Sequence, residues 1–232
     1  ITVTEINSRR RSRPFGSTIC PLALNAVAQR NGKGGGNGRG LRHSPRVRRR
    51  RHFRAGVGVQ TLVTGESVAR YTIWDGVRAL DYLASRKEVD PARIGVTGNS
   101  GGGTHTAYLA AIDDRLKVAA PSCYITNWTY LLKQLGPQDA EQNLPPFLNL
   151  GFDFPDFLYA FAPKPYIVLS AIRDFFPIGG ARATYAEALK VYDSLGAAEK
   201  LKMVEADDGH GYTLPRRLAA YAWMTKWLKG TQ

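Results

Sequence analysis

The chain has 232 residues, 44% of them apolar, with 32 Lys and Arg against 19 Asp and Glu for a formal charge of +13. That length holds one domain with a sizeable core, and no apolar run is long enough to span a membrane, so no membrane partner is expected. Only two cysteines are present, Cys20 and Cys123, which excludes a disulfide framework and a zinc site built from cysteine.

The charge is local. Residues 1–54 hold 14 Lys and Arg and one acid, Glu5, whereas the other 178 residues hold 18 of each sign. The excess therefore says little about what a globular part binds, and nucleic acid is not expected as its partner. Within residues 1–56, the runs Arg9–Arg13 and Arg46–Arg51 flank glycine-rich text at 32–40, without helical or strand periodicity. Such composition cannot bury enough apolar surface to offset ordering entropy and reads first as a disordered or non-native segment. Three other readings stay open: a phosphate-gripping arm, out-of-frame coding text, and an export signal in 9–29. Ala26-Val27-Ala28 suits signal cleavage, but Pro21 and Asn25 break the apolar stretch, so a cytoplasmic location is favoured.

From about Val57 the texture changes, and residues 57–232 read as the catalytic domain. Tyr71–Ser85 carries a helical apolar stripe at Ile73, Val77, Leu80, Leu83 and Ala84, ending before Pro91. Arg93–Thr97 predicts a short β-branched strand, Gly101–Ile112 a helix, and Lys117–Cys123 a second strand. Residues 124–163 read as an irregular aromatic insertion, either the wall of a pocket or a small core of its own. Tyr166–Ile172 is a near-continuous apolar run, the mark of a strand buried on both faces. Ala181–Leu195 predicts a helix, Leu201–Glu205 a strand and Pro215–Leu228 a last helix. The alternation predicts an α/β fold, a mostly parallel sheet with helices on both faces.

Between the first strand and the next helix lies Gly98-Asn99-Ser100-Gly101-Gly102, a G-x-S-x-G pentapeptide. At such a position a serine can sit on a sharp strand-to-helix turn, with Gly98 and Gly102 letting the two elements approach. The helix N-terminus and the Gly101 N–H would stabilise negative charge on a substrate oxygen. A serine hydroxyl also needs a base. Of the four histidines, His43 and His52 lie in the basic segment and His105 inside a helix. His210 follows the last strand in Asp208-Gly-His-Gly-Tyr212, where flanking glycines let the loop turn inward. Asp174, after the 166–172 strand, would orient His210. Asp207 and Asp208 read as turn caps. The order Ser100, Asp174, His210 is that of an α/β hydrolase.

With these residues in place, the chain from about Val63 to Leu228 resembles the α/β-hydrolase superfamily, and within it the acetyl xylan esterase-like group related to dienelactone hydrolases. The resemblance rests on Trp74-Asp-Gly-Val-Arg-Ala-Leu-Asp-Tyr-Leu83, the pentapeptide, Ala119–Cys123, Gly136–Gln142, Arg173-Asp-Phe-Phe-Pro177 and Gly209-His-Gly-Tyr212. It implies a serine esterase that needs neither metal nor cofactor and acts on a small-molecule or carbohydrate ester through an acyl-enzyme. It also implies a departure: the strands that precede the serine in such a fold, and the loop giving a second oxyanion donor, have no candidate in residues 1–56. A prolyl oligopeptidase-like peptidase, or an impaired hydrolase fragment with a basic arm, is the alternative. Oligomeric state stays open.

Overall fold

The structure, a computed structural model, describes residues 58–134 and 138–230. The basic segment, its export reading and the question of earlier strands lie outside the described residues. Within them, four parallel strands form one sheet in the order β1 (Ile94–Asn99), β2 (Leu116–Ser122), β3 (Tyr166–Arg173) and β4 (Leu201–Gly209). Helix α1 (Val68–Ala84) precedes β1, α2 (Gly101–Ile112) joins β1 to β2, α5 (Ile178–Ser194) joins β3 to β4, and α6 (Leu214–Lys229) closes the chain. The sequence anticipated each of these elements. Their ends extend by up to four residues beyond the apolar text, because polar tips still complete ladders and caps.

Side-chain alternation along the strands explains how the sheet is covered. Tyr166 and Val168 face one layer with Ile94, Val96, Leu109 and Tyr192. Ile167 and Leu169 face the other, where Val118, Ala120, Ala220, Trp223 and Met224 close the core. Helix α6 thus covers one face, while α1, α2 and α5 contribute to the opposite core, as the α/β-hydrolase reading requires. No described helix is long and apolar enough to cross a membrane.

The 124–163 insertion is neither irregular throughout nor a separate core. It folds into α3 (Trp128–Gln134), α4 (Phe154–Phe161) and two 3₁₀ turns. Asp153 begins α4 through a capping box with Asp156 and also accepts from the Trp128 N–H at 3.0 Å. Phe154, Phe157, Leu158 and Phe161 are buried in the same cluster as the sheet's core residues. Tyr108 on α2 sits with its ring 5.3 Å from that of Phe157. The aromatic density that suggested an insertion is therefore glue between α4 and the helix behind the serine.

Candidate active site

The chain's chemistry gathers at the carboxyl ends of the strands. Ser100 follows β1 and caps α2 with φ 60°, a left-handed backbone value rare for a residue with a side chain. The strained turn is held by packing that only glycine permits. A Cβ on Gly98 would stand 2.4 Å from the Gly102 carbonyl oxygen, and one on Gly103 the same distance from that of Ser122. Gly102, expected to matter for the same reason, faces open space. The close approach behind the turn is made one residue later, because α2 leans on β2 through Gly103. The Ser100 N–H donates to the Ser122 carbonyl at 2.9 Å, tying the turn to β2. Gly101 is the first residue of α2, whose twelve residues direct their positive end at this point.

Asp174 and His210 meet as the sequence suggested. The imidazole Nδ1 lies 2.8 Å from Asp174 Oδ1. Asp174 is buried, receives the Phe176 N–H at 3.3 Å and leaves its Oδ2 buried without a partner. The His210 side chain keeps an edge to solvent. Burial alone would depress the His210 pKa; its hydrogen bonds to Asp174 and Cys123 outweigh burial and raise it to about 9. Burial works against ionising Asp174 too, but its bond to His210 holds it below the usual carboxylate range. Among the described residues the Ser100 hydroxyl makes no hydrogen bond.

The other histidine within the described residues, His105, lies on α2, where its Nε2 contacts the Thr72 carbonyl and burial lowers its pKa. It serves packing between α1 and α2. Asp208 is more than a turn cap: it accepts from Thr213 and pairs with Arg216 at 2.9 Å. Asp207 pairs with Arg173 at 3.0 Å on the surface.

Two residues at this site gave no signal in the sequence. Arg216, the first-turn arginine of α6, is fully buried. It donates to Asp208 Oδ1 at 2.9 Å, to the Gly209 carbonyl at 3.1 Å and to Ser122 Oγ at 3.1 Å, and it touches Cys123 Sγ. It thereby pins the residues just before His210 to the end of β2. Nothing in Pro215-Arg216-Arg217-Leu218 separates it from its exposed neighbour Arg217. Cys123 stands where β2 ends, with φ 50°. Its thiol, the Asp174 carboxylate and a His210 nitrogen lie within 4.8 Å of one another.

Further ties run from the histidine loop back to the serine turn. The Asn99 amide nitrogen bridges Ser122 Oγ at 2.8 Å and the Gly211 carbonyl at 3.0 Å. The Tyr212 and Thr97 hydroxyls meet at 2.6 Å, and Thr97 donates to the Ala120 carbonyl at 2.7 Å. The aromatic wall beside the imidazole comes from Phe175, whose ring lies 4.2 Å from that of His210.

Comparison with known proteins agrees with this fold. Residues 66–231 match the profile of the prolyl oligopeptidase family. A relative from Bacillus subtilis (strain 168), named "Putative hydrolase YtaP", is 33% identical over 178 residues, which cover 73% of this chain and 57% of that protein. Among solved structures, methylesterase BT1017 is 29% identical with a TM-score of 0.55, over 66% of this chain and 34% of its own. A carbohydrate esterase family 15 glucuronoyl esterase from Caldicellulosiruptor kristjansonii shares the fold at 19% identity, with a TM-score of 0.60 over 72% of this chain and 52% of its own. The chain spans a third to three-fifths of the length of these proteins.

Proposed function

The chain belongs to the prolyl oligopeptidase family of α/β hydrolases, and from that membership we propose that it is a serine carboxylesterase acting through an acyl-enzyme. Ser100 attacks the ester carbonyl. His210 takes the serine proton and returns it to the leaving alcohol, and Asp174 holds the imidazole with its Nδ1 proton inward. The Gly101 N–H at the start of α2 receives the developing oxyanion. Water then releases the acid. The observation that carries this reading is the Asp174–His210 contact at 2.8 Å, formed by residues 36 apart, with Ser100 held at φ 60° at the start of α2. Residues 57–232 would be the catalytic unit.

Acetyl-type esters of small molecules or carbohydrates are the proposed substrates, on the motifs shared with acetyl xylan esterase-like enzymes. A second ester class, in which methanol would be the leaving alcohol, is favoured by the likeness to a methylesterase. Amide hydrolysis is a further reading, since the family takes its name from a peptidase. The test is hydrolysis of p-nitrophenyl acetate, acetylated xylan, a methyl uronate and a prolyl p-nitroanilide by the chain and by Ser100→Ala. The chain is expected to cleave acetyl esters, with Ser100→Ala at least ~10³-fold slower. A chain that is folded but no faster than Ser100→Ala on every substrate would refute the proposal.

A further inference from the structure

The end of β2 lies beside the end of β3, which leads to Asp174, with the end of β4 and His210 beyond it, and it bears a thiol that ester hydrolysis does not use. Cys123 is free, 2% exposed and held at φ 50°. Its sulfur, an Asp174 carboxylate oxygen and a His210 ring nitrogen all lie within 4.8 Å of one another. Asp174 Oδ2 is buried with no hydrogen-bond partner, which leaves a lone pair unused. We propose that Cys123, Asp174 and His210 form a site for a borderline-soft divalent cation, with Zn²⁺ the natural fit, and that its occupancy switches off the hydrolase.

The donor set selects the ion. Thiolate, imidazole and a single carboxylate suit Zn²⁺, Co²⁺ or Cd²⁺, whereas Mg²⁺ and Ca²⁺ demand oxygen donors. Geometry permits it. Tetrahedral zinc with bonds of about 2.0–2.3 Å separates its ligands by about 3.3–3.8 Å, so no pair of the three atoms, all within 4.8 Å of one another, would have to close by more than about 1.5 Å. They sit on three different loops, and the imidazole edge open to solvent gives the ion a way in. Three protein ligands leave a fourth position for water.

Arg216 is the opposing term, because its guanidinium touches the same sulfur. It is already paired with Asp208 at 2.9 Å. With Cys123 ionised, the thiolate and the two carboxylates together balance the guanidinium and a divalent ion, so the filled site is neutral. The two distant cysteines ruled out a site made of cysteine alone, and this one needs a single sulfur.

The effect on catalysis follows from the two nitrogens of one ring. Without metal, Nδ1–H donates to Asp174 and the Nε2 lone pair is free to take the serine proton. Metal on Nδ1 takes the lone pair there. The ring proton exchanges through solvent to Nε2, the thiol proton leaves to solvent, and no atom changes oxidation state. Nε2 is then a donor and cannot act as base. This half of the proposal rests on the esterase reading; the binding half does not.

The test separates the two. Co²⁺ is titrated into the full-length chain and into Ser100→Ala, Cys20→Ser, Cys123→Ser and Asp174→Asn, each checked for folding by circular dichroism. A thiolate-to-cobalt charge-transfer band at one Co²⁺ per chain, displaced by Zn²⁺, is expected in the parent, Ser100→Ala and Cys20→Ser. The band is expected to vanish in folded Cys123→Ser and to weaken at least tenfold in Asp174→Asn. Zn²⁺ is expected to slow p-nitrophenyl acetate hydrolysis by the parent at least tenfold, reversibly with EDTA. Cys123→Ser, compared with its own metal-free rate, should escape that inhibition. Absence of the band in the parent, its persistence in Cys123→Ser, or equal inhibition of the two would overturn the site. A cobalt band in a chain without any esterase activity would support the site and sink the esterase reading instead.

Discussion

The serine side and the histidine side of this site are built by different means. Ser100 is placed by backbone: a strand, a helix, and two glycines, Gly98 letting main chain touch main chain within the turn and Gly103 letting α2 touch the main chain of β2. His210 is placed by side chains from afar, with Asp174 from β3, Arg216 from α6, and Asn99 and Thr97 from β1 holding its loop. A local device leaves a local pattern in the sequence. A device assembled from scattered polar side chains leaves none.

The largest expected effect falls on the histidine side. Asp174→Asn keeps the shape but offers Nδ1 a donor or a weaker acceptor, so the ring loses the tautomer that frees Nε2. Loss of about 10⁴ in kcat is expected on acetyl esters with little change in melting temperature. Loss below tenfold would show that another acid, Asp207 or Asp208, does the orienting.

Arg216→Met comes next and attacks the anchor rather than the chemistry. It removes a fully buried cation and leaves Asp208 without its partner, and breaking such pairs costs about 3–5 kcal/mol. Because the Asp208 side chain is 22% exposed, the lower end is expected in chemical denaturation. Activity should fall further than the lost stability explains, since the loop before His210 is released. The serine-side counterpart is Gly98→Ala, whose Cβ meets the Gly102 carbonyl oxygen at 2.4 Å. About 3 kcal/mol of destabilisation is expected there, by overpacking against backbone that cannot yield. Gly102→Ala has open space and sits in the first turn of α2, so it should be neutral or stabilise by up to about 1 kcal/mol. If the two glycines respond alike, the turn is less rigid than its contacts imply.

This contrast also explains what could be read beforehand. The parallel sheet, the helices, the strand-to-helix turn at Ser100 and the pairing of Asp174 with His210 were legible because buried strands, amphipathic helices and glycine turns each impose a periodicity or a spacing. Gly102 was misread because the motif marks two small residues, while the true contact depends on how α2 leans on β2 at Gly103. The insertion looked irregular because its aromatic residues answer to α2 and not to a period of their own. Arg216 and Cys123 were invisible. An arginine at a helix start is ordinarily solvated, and a lone cysteine after a strand has no partner in its own segment. Their meaning exists only once β2, β3, β4 and α6 converge.

A pH profile tests whether the two sides communicate through charge. Burial favours neutral His210, but its bonds to Asp174 and Cys123 raise the pKa to about 9. Only the neutral ring can accept the serine proton, so kcat/KM should rise about tenfold per pH unit from 7 and level off near pH 9, a gain of about a hundredfold. Asp174→Asn and Cys123→Ser should each move that limb to lower pH, Asp174→Asn by more. The same shift has a consequence for stability. The folded chain binds the His210 proton more tightly than the unfolded chain does. Its contribution is therefore complete below the unfolded value of 6.5 and is lost as pH rises through about 9. Activity and stability should thus run in opposite directions across the same window. A kcat/KM limb centred near the ordinary histidine pKa, unchanged in Cys123→Ser, would mean that the thiol at the end of β2 does not act on the ring in the working enzyme.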